Sequence, residues 1–377
     1  MSDFTPPTSA YIHIPFCVHR CGYCNFTLVA GRDDLVEPYL DALAVELGGL
    51  SDPRSVDTLY FGGGTPTFLS AEQLCRLCAI VLRWHPLGDD YEWTVEANPG
   101  DLDPQRIQTL ARFGVTRLSL GAQSFRSAKL TQLERDHESD DIGRAVRLAR
   151  LAGMQVSLDL IFATPGETLR QWQTDLDAAI ALEPEHISTY GLTFEKGTSF
   201  WSRLHRQELT TVPEELERNM YLTAIDSLTE AGYEHYEISN FGMPGHRSRH
   251  NEVYWAGQSY FAAGPGASRY VDGVRSTNHR STFTYLKRVQ AGESPIAEQE
   301  QLEPERRARE MLVFGLRRIG GIDRQEFFER SGFAIDDLSG KEIAGYVQHR
   351  LLTDDGQNVR LTREGLLVSD GLWPELL

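Results

Sequence analysis

No stretch of this 377-residue chain stays apolar long enough to cross a bilayer. Met1 to Ala10 carries neither a basic head nor an apolar core, so no secretory signal is visible. Cysteine is scarce. Five in the whole chain, unevenly spaced, do not make a disulfide framework. Positive charge is also short: 37 lysines and arginines face 54 aspartates and glutamates, a net charge of −17. That balance argues against broad nucleic-acid binding, which is driven by phosphate neutralisation. The basic run Arg306-Arg307-Ala308-Arg309 reads as the solvated face of a helix. There is no internal repeat and no low-complexity linker. What remains, 41% hydrophobic and 24% charged, fits a globular chain with a large core and two domains, expected in a reducing cytoplasm.

Three of the five cysteines crowd into eight positions, Cys17, Cys21 and Cys24, in a C-x3-C-x2-C run. Thiolates hold iron–sulfur clusters, and a four-iron cubane needs four ligands. Three protein ligands leave one iron open, and an open metal position is where a substrate or cofactor binds. Structural zinc sites are closed and tetrahedral, and no partner cysteine or histidine pair stands nearby at finger spacing. Cys75 and Cys78 share C-x2-C spacing on a helical run and are expected to pack in the core.

Six β-rich runs alternate with amphipathic segments. The runs are Ala10–Ile14, Thr58–Phe61, Trp93–Glu96, Arg117–Leu120, Gln155–Ile161 and His186–Tyr190. Between them lie Leu35–Leu47, Ala71–Leu82, Pro104–Phe113, Asp140–Ala152 and Leu169–Leu182. Such alternation predicts parallel βα units in an open, partial (β/α)6 barrel, with chemistry at the C-terminal strand ends. Pro213–Ala231 reads as a long helix, Tyr233–Arg280 as loops and short strands, and the tail as helices around a hairpin. The expectation is an α/β barrel domain over 1–235 and a smaller α+β, winged-helix-like domain over 236–377.

Several groups stand near expected strand ends. Gly63, Gly64 and Thr65 follow the second strand, where glycine lets backbone approach a ligand and free amides can meet an anion. Glu96 ends the third strand, Gln123 follows the fourth, Arg135 lies beyond it, and Asp159 stands within the fifth. A charge inside a buried strand needs a partner. That partner is an arginine in a structural ion pair, or the ribose or ammonium of a ligand. Tyr23 stacks on adenine or packs in its loop. His250-Asn251-Glu252-Val253-Tyr254-Trp255 offers an imidazole and aromatic surface to a porphyrin, although most isolated histidines are structural.

Tyr11-Ile-His-Ile-Pro-Phe-Cys17, the cysteine loop, Phe61–Thr67, Glu96–Pro99, Ser119–Phe125 and Asp159-Leu-Ile together resemble the oxygen-independent coproporphyrinogen III oxidase group of radical SAM proteins. Two branches differ in the residue two positions after the third cysteine. The true oxidases carry a fourth cysteine there and a long N-terminal extension. This chain has Phe26, and ten residues before Tyr11. With His250, Asn251, Tyr254 and Trp255 it resembles the HemW-type haem chaperones. The resemblance implies a 4Fe–4S cluster on Cys17, Cys21 and Cys24. It implies S-adenosylmethionine held at the open iron by Tyr11, Tyr23, Gly63, Gly64, Thr65, Glu96, Gln123, Arg135 and Asp159, and haem bound by the His250–Trp255 motif. It further implies haem transfer to apo-proteins of the respiratory chain, at the inner face of the membrane when delivering, an electron donor for the cluster, and a homodimer among the states to test. Coproporphyrinogen oxidation in porphyrin biosynthesis is the alternative activity.

Overall fold

The computed structural model describes residues 6–377. Six strands and their crossovers form the body: β1 (Ser9–Ile14), β2 (Val56–Gly63), β3 (Leu87–Ala97), β4 (Arg117–Gln123), β5 (Gln155–Phe162) and β6 (His186–Gly191). Helices α1 (Val36–Gly48), α2 (Ala71–Trp84), α3 (Pro104–Phe113), α4 (Ser139–Leu151) and α5 (Leu169–Ala181) connect them, and α6 (Glu214–Glu230) follows β6. The starts of α2 and α5 are written in the sequence. Ser70 with Gln73, and Thr168 with Gln171, make reciprocal capping boxes. On α2 the buried set Leu74, Leu77, Cys78 and Val81 recurs at helical spacing and faces the sheet.

All six strands are parallel to their neighbours, as the βα alternation predicts. The sheet is wider than six. Strand β7 (Glu234–Glu237) pairs antiparallel with β8 (Asn240–Gly242), which pairs antiparallel with β6, and β9 (Phe261–Ala263) adds parallel to β1. The order is β9-β1-β2-β3-β4-β5-β6-β8-β7. The expected division at 235/236 therefore falls inside β7. The strand pairing carries the barrel body past residue 263, and Tyr285, Leu286 and Val289 still belong to the barrel's core. A separate core runs from Ala308 to Leu376. It unites helices Pro304–Leu316, Arg324–Ser331 and Ile335–Gln348 with a small antiparallel sheet of Ile322–Asp323, Asn358–Leu361 and Leu352–Asp354. This is the winged-helix-like module. No helix among the described residues is long and apolar enough to cross a membrane.

Strand alternation decides what the barrel encloses. On β4, Leu118, Leu120 and Ala122 are buried under the helices, while Arg117, Ser119, Gly121 and Gln123 face inward. On β5, Val156, Leu158 and Leu160 take the outer face, and Ser157 and Asp159 the inner. Closed barrels of this type fill their centre with branched apolar side chains. This one lines it with Thr94, Ser119, Ser157 and Ser188, and so keeps a polar cavity.

Candidate functional site

A cavity of about 1620 Å³ opens at the C-terminal ends of the strands and runs down the inside of the barrel. Cys17, Cys21 and Cys24 line it, with Tyr23, Gly63, Gly64, Thr65, Glu96, Gln123, Arg135 and Asp159. The lining of one cavity thus collects the three cysteines and all the expected cofactor residues except Tyr11.

The cysteine loop is held on several sides. Cys17 ends a two-residue strand whose partner is Val29–Ala30. The Cys24 amide donates to the Cys21 carbonyl at 3.0 Å. Behind the loop, His13 Nε2 donates to the Thr27 carbonyl at 2.7 Å. Its other nitrogen, Nδ1, then accepts from the Tyr11 hydroxyl at 3.0 Å. Tyr11 therefore acts on the loop through His13 and lies outside the cavity lining. The Gly264-Pro265-Gly266 turn presses on the same place, because a Cβ at Gly264 would lie 2.4 Å from the His13 carbonyl oxygen and one at Gly266 2.6 Å from the Thr27 hydroxyl.

Burial pushes the Cys17 thiol up to about 12 and raises Cys24 as well. Thiolate, not thiol, is the metal ligand, so ionisation of these groups is coupled to metal binding. Cys17 Sγ lies 3.4 Å from the Thr65 hydroxyl, and Arg135 Nη1 points to Cys21 Sγ at 3.6 Å. Among the described residues no three His, Cys, Asp or Glu side chains converge as on a single ion. A cubane attaches each thiolate to a different iron and does not require that convergence. Three cysteines on one loop, facing one cavity with an arginine and a hydroxyl beside them, fit a cluster as donor set. Cys78 is fully buried in α2, and Cys75 accepts from Arg112 Nη2 at 3.1 Å; neither lines the cavity.

The glycine loop departs from its expected chemistry. The Gly63 amide donates to Glu96 Oε2, Gly64 to the Ile14 carbonyl and Thr65 to the Phe16 carbonyl, at 3.0, 2.8 and 2.7 Å. These amides are engaged within the protein and are not available to an anion. A Cβ at Gly63, where φ is 109°, would lie 2.3 Å from the His13 ring, and one at Gly64 2.6 Å from the Phe16 carbonyl. The glycines serve the close approach of β2 to the cysteine loop. What the loop can still offer a ligand is carbonyl oxygen and the Thr65 hydroxyl, which suit an ammonium.

Glu96 and Asp159 share the cavity as like charges. Burial, then the Asp159 charge, pushes Glu96 up to about 7, although it accepts from the Tyr60 hydroxyl at 2.9 Å. Burial pushes Asp159 up to about 6, against hydrogen bonds from Ser188 and Ser119. A cationic ligand relieves both. Arg135 Nη2 donates to Asn98 Oδ1 and the Gly121 carbonyl, both at 3.1 Å. Its buried Nε has no partner among the described residues, leaving a donor for a carboxylate. Gln123 has a φ of 62°, unusual for a residue with a side chain, and lines the same cavity. Tyr23 packs edge-on against Phe200, with ring centres 6.0 Å apart, and still borders the cavity. These groups fit an amino-acid-like cofactor that carries an ammonium, a carboxylate and a sulfonium. Sequence reasoning missed Tyr60, Ser119 and Ser188, although the two-residue alternation along β2, β4 and β6 points each inward, and Asn98, which lies just past the end of β3.

The His250 motif lies at the opposite end. It forms helix Arg249–Trp255, whose first amides are met by Glu92: Arg249 N and His250 N donate to its two oxygens at 3.3 and 3.2 Å. His250 is 1% exposed. Nδ1 pairs with the Thr58 hydroxyl at 2.9 Å and Nε2 with the Tyr254 hydroxyl at 2.8 Å, and the ring stacks on Tyr60. With both nitrogens taken, this geometry does not present His250 as an iron ligand; a buried, fully bonded imidazole packs the floor of the barrel. Trp255 fills the junction with the C-terminal module, where the Arg317 guanidinium sits 4.4 Å over its ring. Asn251 alone of the four reaches the cavity.

Comparison with known proteins agrees with this architecture. Residues 11–179 match the family model of the radical SAM superfamily, and residues 302–368 that of the HemN C-terminal domain. The chain is 36% identical over 376 residues to heme chaperone HemW of Lactococcus lactis subsp. lactis, covering 98% of this chain and 97% of that protein. It is 34% identical over 374 residues to heme chaperone HemW of Bacillus subtilis, covering 98% and 99%. Heme chaperone HemW of Escherichia coli K12 is 32% identical over 373 residues, covering 97% of each. The solved structure of the radical SAM enzyme coproporphyrinogen III oxidase (HemN) from Escherichia coli superposes with a TM-score of 0.86 at 21% identity, covering 98% of this chain and 90% of that one, which shows a shared fold. On near-complete coverage at these identities, the chain belongs to the HemW family of haem chaperones and is built on the radical SAM fold.

Proposed function

We propose that this chain carries haem, holds a 4Fe–4S cluster on Cys17, Cys21 and Cys24, and binds S-adenosylmethionine beside it. Haem then passes to apo-proteins such as respiratory enzymes. The observation that supports this best is the single cavity whose lining gathers three thiols, the carboxylates Glu96 and Asp159 and the part-satisfied Arg135. Bound there, the cluster supplies one-electron chemistry to the cofactor. The chain's own residues divide the remaining work. Thr65 and Arg135 bracket the sulfurs, Glu96 and Asp159 receive positive charge, and Arg135 Nε receives a carboxylate. An electron donor for the cluster and a homodimer belong to the same reading.

The second reading is coproporphyrinogen oxidation. Phe26 weighs against it, since it puts an exposed ring where the oxidases carry a cysteine. Anaerobic reconstitution, a haem titration and an assay of coproporphyrinogen turnover on the same sample separate the two. The proposal expects haem binding without turnover. Turnover without haem binding favours the oxidase.

A further inference from the structure

The cavity exceeds what one cofactor needs. Small-ligand sites occupy about 300–1,000 Å³, and this one measures about 1620 Å³. Its depth and its opening differ in chemistry. The depth is lined by Thr94, Ser119, Ser157, Asp159 and Ser188. The opening mixes exposed apolar side chains with exposed charged ones, among them Glu195, Glu215, Glu364 and Asp370. Of the ten large hydrophobic side chains exposed among the described residues, four border this cavity: Val18, Phe26, Tyr190 and Val368. They come from three distant parts of the chain: the cysteine loop, the end of β6 and the C-terminal module. Single exposed apolar residues are ordinary, but several that converge on one opening mark a binding surface. Phe26 is the most open of the four, at 64%.

A cation stands next to it. Arg280 donates to the Asn25 carbonyl at 3.0 Å and to the Thr27 hydroxyl at 3.3 Å. Both acceptors are neutral, and the exposed guanidinium has no carboxylate partner among the described residues.

We propose that the outer part of this cavity is the haem seat, filled together with the cofactor's inner part. The macrocycle lies against Phe26 and Val368, and a propionate meets Arg280. This rests on the reading of the chain as a haem carrier. A flat apolar ring covers side chains that are otherwise wetted, and its carboxylates seek an uncompensated guanidinium. The competing cluster of aromatics around His250 is closed, since its imidazole is 1% exposed and bonded at both nitrogens.

The test uses full-length protein, reconstituted anaerobically, saturated with S-adenosylmethionine and titrated with haem at the Soret band. Phe26→Ala and Val368→Asp should each weaken haem about tenfold, the scale of a lost aromatic or apolar contact. Arg280→Ala should cost about threefold, as for an exposed charge pair. Leu151→Ala, at a residue 86% exposed elsewhere on the surface, should change nothing. Iron, sulfide and cofactor affinity should match wild type throughout. Phe26 neighbours Cys24, so if Phe26→Ala loses iron, Val368→Asp decides. Wild-type haem affinity in Val368→Asp and in an iron-replete Phe26→Ala overturns the proposal and leaves the carrier reading intact. Displacement of haem by S-adenosylmethionine overturns joint occupancy. Failure of the wild type to bind haem overturns the carrier reading itself.

Discussion

The two ends of the barrel are built from similar residue types and treat them in opposite ways. At the C-terminal ends of the strands, polar groups are left waiting. Two carboxylates crowd each other, Arg135 Nε lacks a partner, and Cys17 is held as a thiol by burial. At the other end, the side chains of Glu92 and His250 find partners inside the protein, while Arg117 Nε and Trp255 Nε1 have no hydrogen-bond partner among the described residues. Glu92 meets Arg117 at 2.9 Å and caps helix Arg249–Trp255, and His250 is bonded at both nitrogens. A folded protein tolerates buried, under-satisfied groups at a cost, and keeps them where a ligand completes them. The first end therefore reads as the binding end and the second as the floor.

The largest expected effect lies at the binding end. Cys17→Ser, Cys21→Ser or Cys24→Ser should abolish cluster assembly, with iron and sulfide near zero after reconstitution, whereas Cys75→Ser keeps them. Loss of the cluster in a folded Cys75→Ser protein breaks the assignment.

The next effect lies at the floor. His250→Ala removes a stacked ring and strands the Thr58 and Tyr254 hydroxyls, which should cost about 2–4 kcal/mol of stability. Chemical denaturation measures it. The folded fraction should bind haem like wild type. A drop in haem affinity with unchanged stability would return the histidine to the ligand role.

The polar interior sets a pH dependence. Folded Glu96 and Asp159 are raised to about 7 and about 6 from ordinary values of 4.5 and 3.8. Between the ordinary and raised values the ligand-free fold binds more protons than the unfolded chain, so its stability falls as pH rises through that window. Cofactor binding runs the other way. A cationic ligand prefers ionised carboxylates, so its affinity should rise from pH 5.5 to 7.5, by about tenfold for each unit of pKa shift it reverses. Calorimetry on Asp159→Asn should show weaker binding and a flatter profile. A steep, wild-type profile in that variant removes Asp159 from the site.

The smallest effect joins the barrel to the C-terminal module. Arg218 and Glu364 pair at 3.1 Å on an exposed surface. Glu364→Gln should shift stability by less than about 0.5 kcal/mol, as exposed pairs do.

Much of this comparison is legible in the chain itself, unevenly. The six parallel strands announce themselves, because each is a β-rich run between amphipathic helices. The cysteine loop is legible from spacing alone. The flanking strands β7, β8 and β9 are not, since three or four residues show no periodicity and their place depends on distant pairing. The glycine loop shows the limit of local reasoning. Glycine signals a close approach, but the partner is His13 and the Phe16 carbonyl rather than a ligand. His250 shows it again. The same imidazole and tyrosine make a haem pocket or a packed floor, and only the position of Thr58 and Tyr60 on the neighbouring strand decides.

Hydrogen–deuterium exchange on the reconstituted protein, with and without S-adenosylmethionine and haem, measures the two ends at once. The account predicts protection in the cysteine loop, residues 17–28, and around residues 63–65, with no change in helix Arg249–Trp255. Protection confined to that helix, with the cysteine loop unchanged, would contradict it.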